Sequence, residues 1–424
     1  MGEVLTKQLQ IAERANRYKS QALTNLHHFI DIEWLEESMS EMKEGASAGI
    51  DGEVLTEFRD SKSERLPELM TSFKSGRYKA PAVRRVYIRK MDGKQRPIGI
   101  PTIEDKVLQN AVCKVLEPIY EQDFYDFSYG FRPKKSAHQA LESIWSEIMN
   151  KRISYILDAD IENYFGSINH ACLRTMLDKR VKDGVVRRQI DKWLKAGVFE
   201  EGEIRRVQEG TPQGGIISPL LSNIYLHEVL DKWYREVEPL LKGKSFLVRY
   251  ADDFIMGFEY EEDALRVRRV IFKRFEKYGL TMHPEKTRLI EFNRWKGKNT
   301  FDFLGFTHYW GKSRKGKTIL KRKTGKKRLS RAIKTISNWI MENRHNKVGG
   351  LVWQINAKLR GHYAYYGITF NFKSINLFYE AVKRIMFKWL NRRGGKKKMN
   401  WEVYARLISQ RLPLLKPRIV HSFL

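Results

Sequence analysis

The chain reads as an α+β protein, and three observations predict it. Between about residues 80 and 310 short strand-like runs alternate with helical ones. Two of the strand-like runs carry acidic residues, one at period-two spacing and one at a hairpin tip. Beyond Arg328 the pattern changes to repeated helical apolar stripes.

The first forty or so residues read as polar helix, broken by the Gly-rich segment Lys43-Glu44-Gly45-Ala46-Ser47-Ala48-Gly49-Ile50-Asp51-Gly52. In Ile153-Ser154-Tyr155-Ile156-Leu157-Asp158-Ala159-Asp160, strand alternation places Ile156, Asp158 and Asp160 on one face and Tyr155, Leu157 and Ala159 on the other. An aromatic ring, Phe165, follows Asp160 at a distance suited to lie beside a nucleotide's sugar. Gly210-Thr211-Pro212-Gln213-Gly214-Gly215-Ile216-Ile217-Ser218-Pro219 reads as a loop of close backbone approach, with Ser218 an N-cap and Pro219 in the first helical turn. Leu226, Val229, Leu230 and Trp233 then give a core-facing stripe.

Tyr250-Ala251-Asp252-Asp253 sits between two apolar runs, Phe246-Leu247-Val248-Arg249 and Phe254-Ile255-Met256-Gly257-Phe258. Adjacent carboxylates at a hairpin tip repel unless a cation holds them. A pair of divalent ions is the holder that suits this pattern, because two-metal nucleotidyl transfer needs acidic side chains on rigid backbone. The alternative is an ordinary acidic surface turn.

Residues 312–328 are densely basic with little apolar content and are expected to form a solvated or RNA-bound loop. Three helical stripes follow: Leu329, Ala332, Ile333, Ile336, Ile340; Val352, Ile355, Leu359, Tyr363, Tyr366; and Ile375, Phe378, Tyr379, Val382, Ile385, Met386, Trp389. They predict a small bundle, its outer faces left basic by residues that include Lys383, Arg384, Lys388 and Lys396-Lys397-Lys398.

Composition narrows the partner. A chain of 424 residues is long enough for roughly two or three domains. With 79 Lys+Arg against 50 Asp+Glu the formal charge is +29, so a polyanion is the expected partner: nucleic acid first, an anionic membrane surface as competitor. No apolar stretch is long enough to span a bilayer, and the polar N-terminus lacks a signal-peptide core. The two cysteines, Cys113 and Cys172, stand far apart and exclude a zinc ribbon or disulfide scaffold. The histidines show no ligand spacing.

The order Asp160 with Tyr164-Phe165, then Thr211-Pro212-Gln213-Gly214-Gly215, then Tyr250-Ala251-Asp252-Asp253 strongly resembles the reverse transcriptases encoded by bacterial group II introns, in an endonuclease-less form. The resemblance covers nearly the whole chain. It takes in Arg84-Arg85-Val86-Tyr87-Ile88-Arg89-Lys90, Gln95 to Thr102, Ser128-Tyr129-Gly130-Phe131-Arg132-Pro133, Phe303-Leu304-Gly305-Phe306, Leu359 to Gly367, and Pro417 to Ser422. It implies a right-hand polymerase: fingers and an antiparallel-sheet palm over residues 43–310, an N-terminal helical extension over 1–42, a basic loop and helical thumb or maturase domain over 311–398, and a tail over 399–424 offering a rudimentary DNA-binding segment.

By motif match, Asp160, Asp252 and Asp253 would hold two Mg2+ ions, for which Mn2+ can substitute, and Asp158 stands two residues too early for that set. Lys90, Arg96, Phe165, Gln213 and Lys286 would contact the nucleotide, with Phe165 the gate against a 2′-hydroxyl. Phe303, Leu304, Gly305 and Phe306 resemble a primer grip, and Lys321, Arg322, Lys323, Lys326, Lys327 and Arg360 would contact RNA. The implied partners are structured intron RNA, an RNA template with DNA primer, deoxynucleoside triphosphates and target DNA, in the bacterial cytoplasm and at the nucleoid when bound to DNA. Two departures stand out: Gly166 where many members carry Asp, and no Cys/His endonuclease module, so that priming would need a nick, a replication fork or another nuclease. Open alternatives are a related reverse transcriptase recruited to phage defence or repair, and a maturase acting mainly as an RNA-binding chaperone. A viral-type RNA polymerase is disfavoured by Phe165 and by Ala251 where Gly-Asp-Asp would be expected.

Overall fold

The computed structural model describes residues 2–89, 93, 95–200, 203–205, 210, 214–296, 298–394 and 399–423. Its strands are β1 (Val83–Arg89), β2 (Gln95–Ile100), β3 (Tyr155–Ala159), β4 (Ile161–Glu162), β5 (Val198–Glu200), β6 (Glu203–Arg205) and β7 (Ser245–Tyr250). There follow β8 (Asp253–Phe258), β9 (Thr281–Met282), β10 (Arg288–Glu291), β11 (Phe301–Phe303), β12 (Phe306–Lys312) and β13 (Thr318–Thr324). They form sheets ordered β2-β1-β5-β6, β10-β3-β8-β7, β11-β12-β13 and β4-β9. Helices and mainly antiparallel sheets, with β1 and β5 the one parallel strand pair described, are thus combined as the α+β expectation requires.

The β10-β3-β8-β7 sheet is antiparallel throughout and is covered on both faces. Alternation sends Leu157, Ala159, Leu247, Phe254 and Met256 into one core, shared with the Ile103–Tyr120 helix and its neighbours. Ile156, Val248 and Ile255 enter a second core against the Ala137–Asn150 helix and the β11-β12-β13 sheet. Double coverage explains why β7 and β8 are nearly continuous apolar runs.

The N-terminal region is two helices, Glu3–Arg17 and Ile32–Ser40, not one. Between them Asn25 takes a left-handed conformation (φ 58°), Leu23 bridges to Val181, and Asp31 caps the second helix by accepting from Trp34 N at 3.0 Å. Val4, Ile11, Trp34 and Leu35 all enter the first core. The helix expected after the Gly-rich loop starts at Ser218 rather than after it, with Pro219 in its first turn, so Ser218 lies inside the helix and is buried. The stripe Leu226, Val229, Leu230 and Trp233 is buried as expected, carried across a π-helical turn, His227–Asp231.

Residues 312–328 are not the expected loop. They close a β-hairpin, β12 on β13 in register from Phe306↔Thr324 to Lys312↔Thr318, and then enter a helix. Alternation buries Leu320, Arg322 and Thr324 on the inner face and leaves Lys323 exposed, so a run without apolar periodicity still supplies a half-buried strand. The three helices that follow, Lys326–Glu342, Val348–Tyr366 and Phe372–Leu390, pack their predicted stripes into a third core.

Candidate active site

β7 and β8 form a hairpin whose pairing ends at Tyr250↔Asp253, so Ala251 and Asp252 make a two-residue turn with Ala251 left-handed (φ 57°). β3 pairs with β8 so that Ala159 lies opposite Phe254. Continuing that register by one residue brings Asp160, just past the strand end, alongside Asp253. Asp158, Asp160 and Asp253 share one face by strand parity, and Asp252 stands on the adjoining turn.

Their electrostatics record the crowding. Desolvation, then the Asp252, Asp160 and Asp158 carboxylates, push the pKa of Asp253 up to about 7. Asp253 is open to solvent on its outer side, but protein packs closely around the rest of it, and it is this enclosure that desolvates the carboxyl. Asp252 is also raised, first by desolvation, against the opposing pull of Arg96. Desolvation raises Asp158 to about 6, with Arg288 opposing and Asp302 and Asp160 reinforcing. Lys286 Nζ lies 2.7 Å from Asp160 Oδ2 and neutralises that member. Among the described residues no three His, Cys, Asp or Glu side chains close around a single point. The donor chemistry nonetheless fits hard divalent cations: carboxylate oxygens only, whose mutual repulsion a cation would relieve.

The turn is fastened from beneath. Arg249, the last residue but one of β7, is fully buried, and its Nε and Nη2 donate to Asp231 Oδ1 and Oδ2 at 2.8 and 2.5 Å. Its Nη1 donates to Asn223 Oδ1 at 2.9 Å and to Ala251 O at 3.1 Å, which pins the strained residue of the turn. Burial works to raise the pKa of Asp231, but the Arg249 charge and hydrogen bonds, with the His227 ring 3.7 Å away, outweigh it and hold the carboxylate below its ordinary range. Asn223 Nδ2 donates to Gly130 O at 2.7 Å, and a Cβ on Gly130 would fall 2.2 Å from Ala251 N. Gly130 is therefore required by the close approach of this loop to the turn. Arg132 folds the same loop, gripping Glu121 at 2.9 Å through Nε and Nη2 and donating to Ser128 O at 2.7 Å. Sequence reasoning passed over Arg249, Asp231 and Asn223. The signal was present: a charge inside an apolar strand demands a buried partner.

Phe165 is nearly buried in a short 3-10 turn, edge-to-face with Tyr164 at 5.5 Å. Gly210 (φ 90°) packs against it so closely that a Cβ would meet Phe165 O at 2.9 Å, and His170 Nε2 lies 2.6 Å from Gly210 O. Gly214 similarly presses on Gly99 of β2. Arg96 is exposed on β2 and acts electrostatically on Asp252. Lys90 and Gln213 lie outside the described residues, as do Thr211, Pro212 and Lys396-Lys397-Lys398.

Phe303, Leu304, Gly305 and Phe306 form the β11-β12 hairpin turn, with Leu304 (φ 48°) and Gly305 (φ 83°) both left-handed. Tyr365 Oη donates to Leu304 O at 2.8 Å and Gly325 N to Gly305 O at 2.9 Å, tying this turn to the helical bundle. Arg328, another residue not anticipated, packs by Gly305 and acts on Asp253. Lys323, Lys326, Lys327 and Arg360 are exposed and Lys321 half-exposed. Arg322 is a correction: it is buried, lies 4.4 Å over the Phe423 ring, donates to Leu141 O at 3.3 Å and has its pKa lowered to about 9 by desolvation, so it does not face RNA.

A hairpin bearing two carboxylates, a third beside it on the neighbouring strand, and a loop of close-packed glycines are features of a polymerase palm. The family pattern described as "Reverse transcriptase (RNA-dependent DNA polymerase)" matches residues 88–308, and the chain belongs to that family. Within it the chain is one of the group II intron-encoded proteins. It is 30% identical over 428 residues to "Group II intron-encoded protein LtrA" of Lactococcus lactis subsp. cremoris, covering 79% of this chain and 70% of that protein. It is 31% identical over 360 residues to "Protein YkfC" of Escherichia coli (strain K12), covering 76% of this chain and 89% of that protein. A shorter match, 26% over 233 residues, reaches "Nuclear intron maturase 2, mitochondrial" of Arabidopsis thaliana, covering 46% of this chain and 30% of that protein.

Proposed function

We propose that this RNA-directed DNA polymerase copies intron RNA into cDNA at Asp160, Asp252 and Asp253, and that its helical C-terminal region binds intron RNA to assist splicing and mobility. The observation that carries the first half is the clustering of those carboxylates at adjoining strand ends, with raised proton affinity at Asp253 and Asp252. Two Mg2+ ions held there would polarise the attacking 3′-oxygen and stabilise the leaving pyrophosphate. Lys286 then serves as counter-charge to Asp160 and can turn to phosphate when substrate binds. Arg96, exposed and facing the same carboxylates, suits a polyanion that gains charge in transfer. Phe165, with its backbone braced by Gly210, would meet the sugar and exclude a 2′-hydroxyl. Lys90 and Gln213 keep their proposed nucleotide contacts.

In this reading residues 43–310 act as fingers and palm, and the bundle after the β12-β13 hairpin acts as thumb and maturase domain, joined to the 303–306 primer grip through Tyr365 and Gly325. Lys326 and Lys327 open a helix, where the helix dipole disfavours cations, and RNA phosphate is the compensating partner. Lys321, Lys323 and Arg360 extend that surface. The chain has no helix long and apolar enough to cross a membrane among its described residues.

Primer extension on an RNA template tests the assignment. Asp252→Ala should lose at least ~100-fold, the scale of a misplaced reacting group, while filter binding to intron RNA stays unchanged. Near wild-type extension by Asp252→Ala would overturn the site.

A further inference from the structure

A cavity of about 570 Å3 opens at the end of the central sheet away from the carboxylates. β3 enters at Tyr155 and delivers Asp160, while β8 leaves Asp253 and ends at Phe258. Ser154, Glu259 and Tyr260, which line the cavity, therefore lie about 17 Å or more from the active site, at ~3.3 Å per strand residue. Arg152, Arg294, Trp295 and Trp310 form other parts of the wall.

Trp310 is a fixed floor: its Nε1 donates to Phe292 O at 3.1 Å and its ring stacks on Phe292 at 5.4 Å. The Arg294 guanidinium lies 5.7 Å from the Trp295 ring centre and 5.8 Å from that of Trp310. One of its nitrogens donates to Thr318 O at 2.7 Å, while its buried Nε has no acceptor. Trp295 is 83% exposed and Tyr260 is about half exposed. Arg152 is exposed and has no acidic partner among the described residues, whereas Lys151 is held by Glu147 at 2.5 Å and Lys296 by Glu291 at 2.9 Å.

An indole this exposed contributes nothing to the core. Ile148, Met149 and Ile153 form part of the wall, but the charged groups around it are three cations, Lys151, Arg152 and Arg294, against one carboxylate, Glu259, an excess that favours a polyanion. An open aromatic face beside guanidinium groups, one of them without a counter-ion, is what stacks an unpaired base and neutralises its phosphate. We propose that this cavity binds single-stranded RNA, with a base on Trp295, a second contact at Tyr260, and phosphate at Arg152 and Arg294. The proposal rests on the reading of the chain as an RNA-copying enzyme and adds a second RNA contact remote from polymerisation, where an unpaired segment of the same RNA could be held during copying.

The test uses the full chain with its catalytic cleft filled by an RNA–DNA template–primer duplex. A fluorescent twelve-nucleotide oligouridylate is titrated by anisotropy, and a 4-thiouridine version is cross-linked and mapped by mass spectrometry. Trp295→Ala should weaken the oligonucleotide about 10-fold and Trp295→Phe much less. Arg152→Gln should weaken it and lower the salt slope by about one. Cross-links should map to Trp295 or Tyr260. Extension of the bound primer on a short template should be unchanged in all three variants, which separates failure here from failure of the polymerase reading. Unchanged oligonucleotide affinity in Trp295→Ala, or cross-links only around the catalytic cleft, would overturn the proposal and leave the ring to a protein partner. Equal affinity for uridine monophosphate would overturn the strand assignment.

Discussion

The buried Arg249–Asp231 pair should govern catalysis without touching the reacting atoms, and a double-variant cycle can separate its two effects. Both side chains are fully buried. Arg249→Met leaves the Asp231 carboxylate uncompensated, which costs ~3–5 kcal/mol. It also removes the donors to Asn223 Oδ1 and Ala251 O, the bonds that fix the left-handed turn residue ahead of Asp252. Asp231→Leu in the same chain removes the stranded charge, and such replacements by apolar side chains are often neutral or stabilising by ~1–4 kcal/mol. Stability should therefore recover in the double variant. Extension should not, because Ala251 O still lacks its donor, and a loosened turn that displaces Asp252 and Asp253 by about 1 Å costs on the order of 100-fold. Urea denaturation followed by tryptophan fluorescence reports the first quantity, and single-turnover primer extension at saturating magnesium reports the second. A double variant with wild-type extension would show that Arg249 acts through stability alone, and the positional argument would be wrong.

Opening the ring at Phe165 to Ala should raise ribonucleotide incorporation relative to deoxyribonucleotide, measured by single-nucleotide competition; unchanged sugar selectivity would move the gate elsewhere. Asp253 and Asp158 hold their protons more tightly folded than unfolded, at about 7 and about 6, so the metal-free protein should lose stability as pH rises from about 4 through 7. Asp253→Asn should then melt above wild type at pH 8 and level with it at pH 4, and magnesium should raise the wild-type midpoint at pH 8 more than the variant's; a difference independent of pH would refute the crowding. Changing Lys321, Lys323, Lys326 and Lys327 to Gln together should weaken intron RNA binding and flatten its salt dependence by about one counterion for each phosphate that is no longer neutralised, whereas Arg322→Gln should leave the salt slope unchanged because that side chain is buried.

The parts of this molecule that could be read from its sequence are those where one periodicity or one costly juxtaposition dominates. The hairpin at Asp252-Asp253 was legible because two apolar runs bracket like charges, and the three C-terminal helices because their stripes persist over several turns. The β12-β13 hairpin was not legible. Lys and Arg crowd its sequence from Lys312 onward and mask the alternation, and the inner face that includes Arg322 is filled partly by long polar side chains, whose burial depends on the Ala137–Asn150 helix and the Phe423 ring arriving from distant sequence. The same limit hid the support of the catalytic turn. Arg249 lies on β7, Asn223 and Asp231 two turns apart on the helix that starts at Ser218, and Gly130 in a loop, and only the fold brings the three elements together. What the sequence could have offered is the question each raises: a guanidinium inside an apolar strand must find a carboxylate, and a glycine with no turn to make must be answering a close approach. Both questions have one answer here. The carboxylates are held at the ends of the inner strands by a buried ionic brace and an abutting loop, so the repulsion recorded at Asp253 persists in the folded chain and gives a cation its reason to bind.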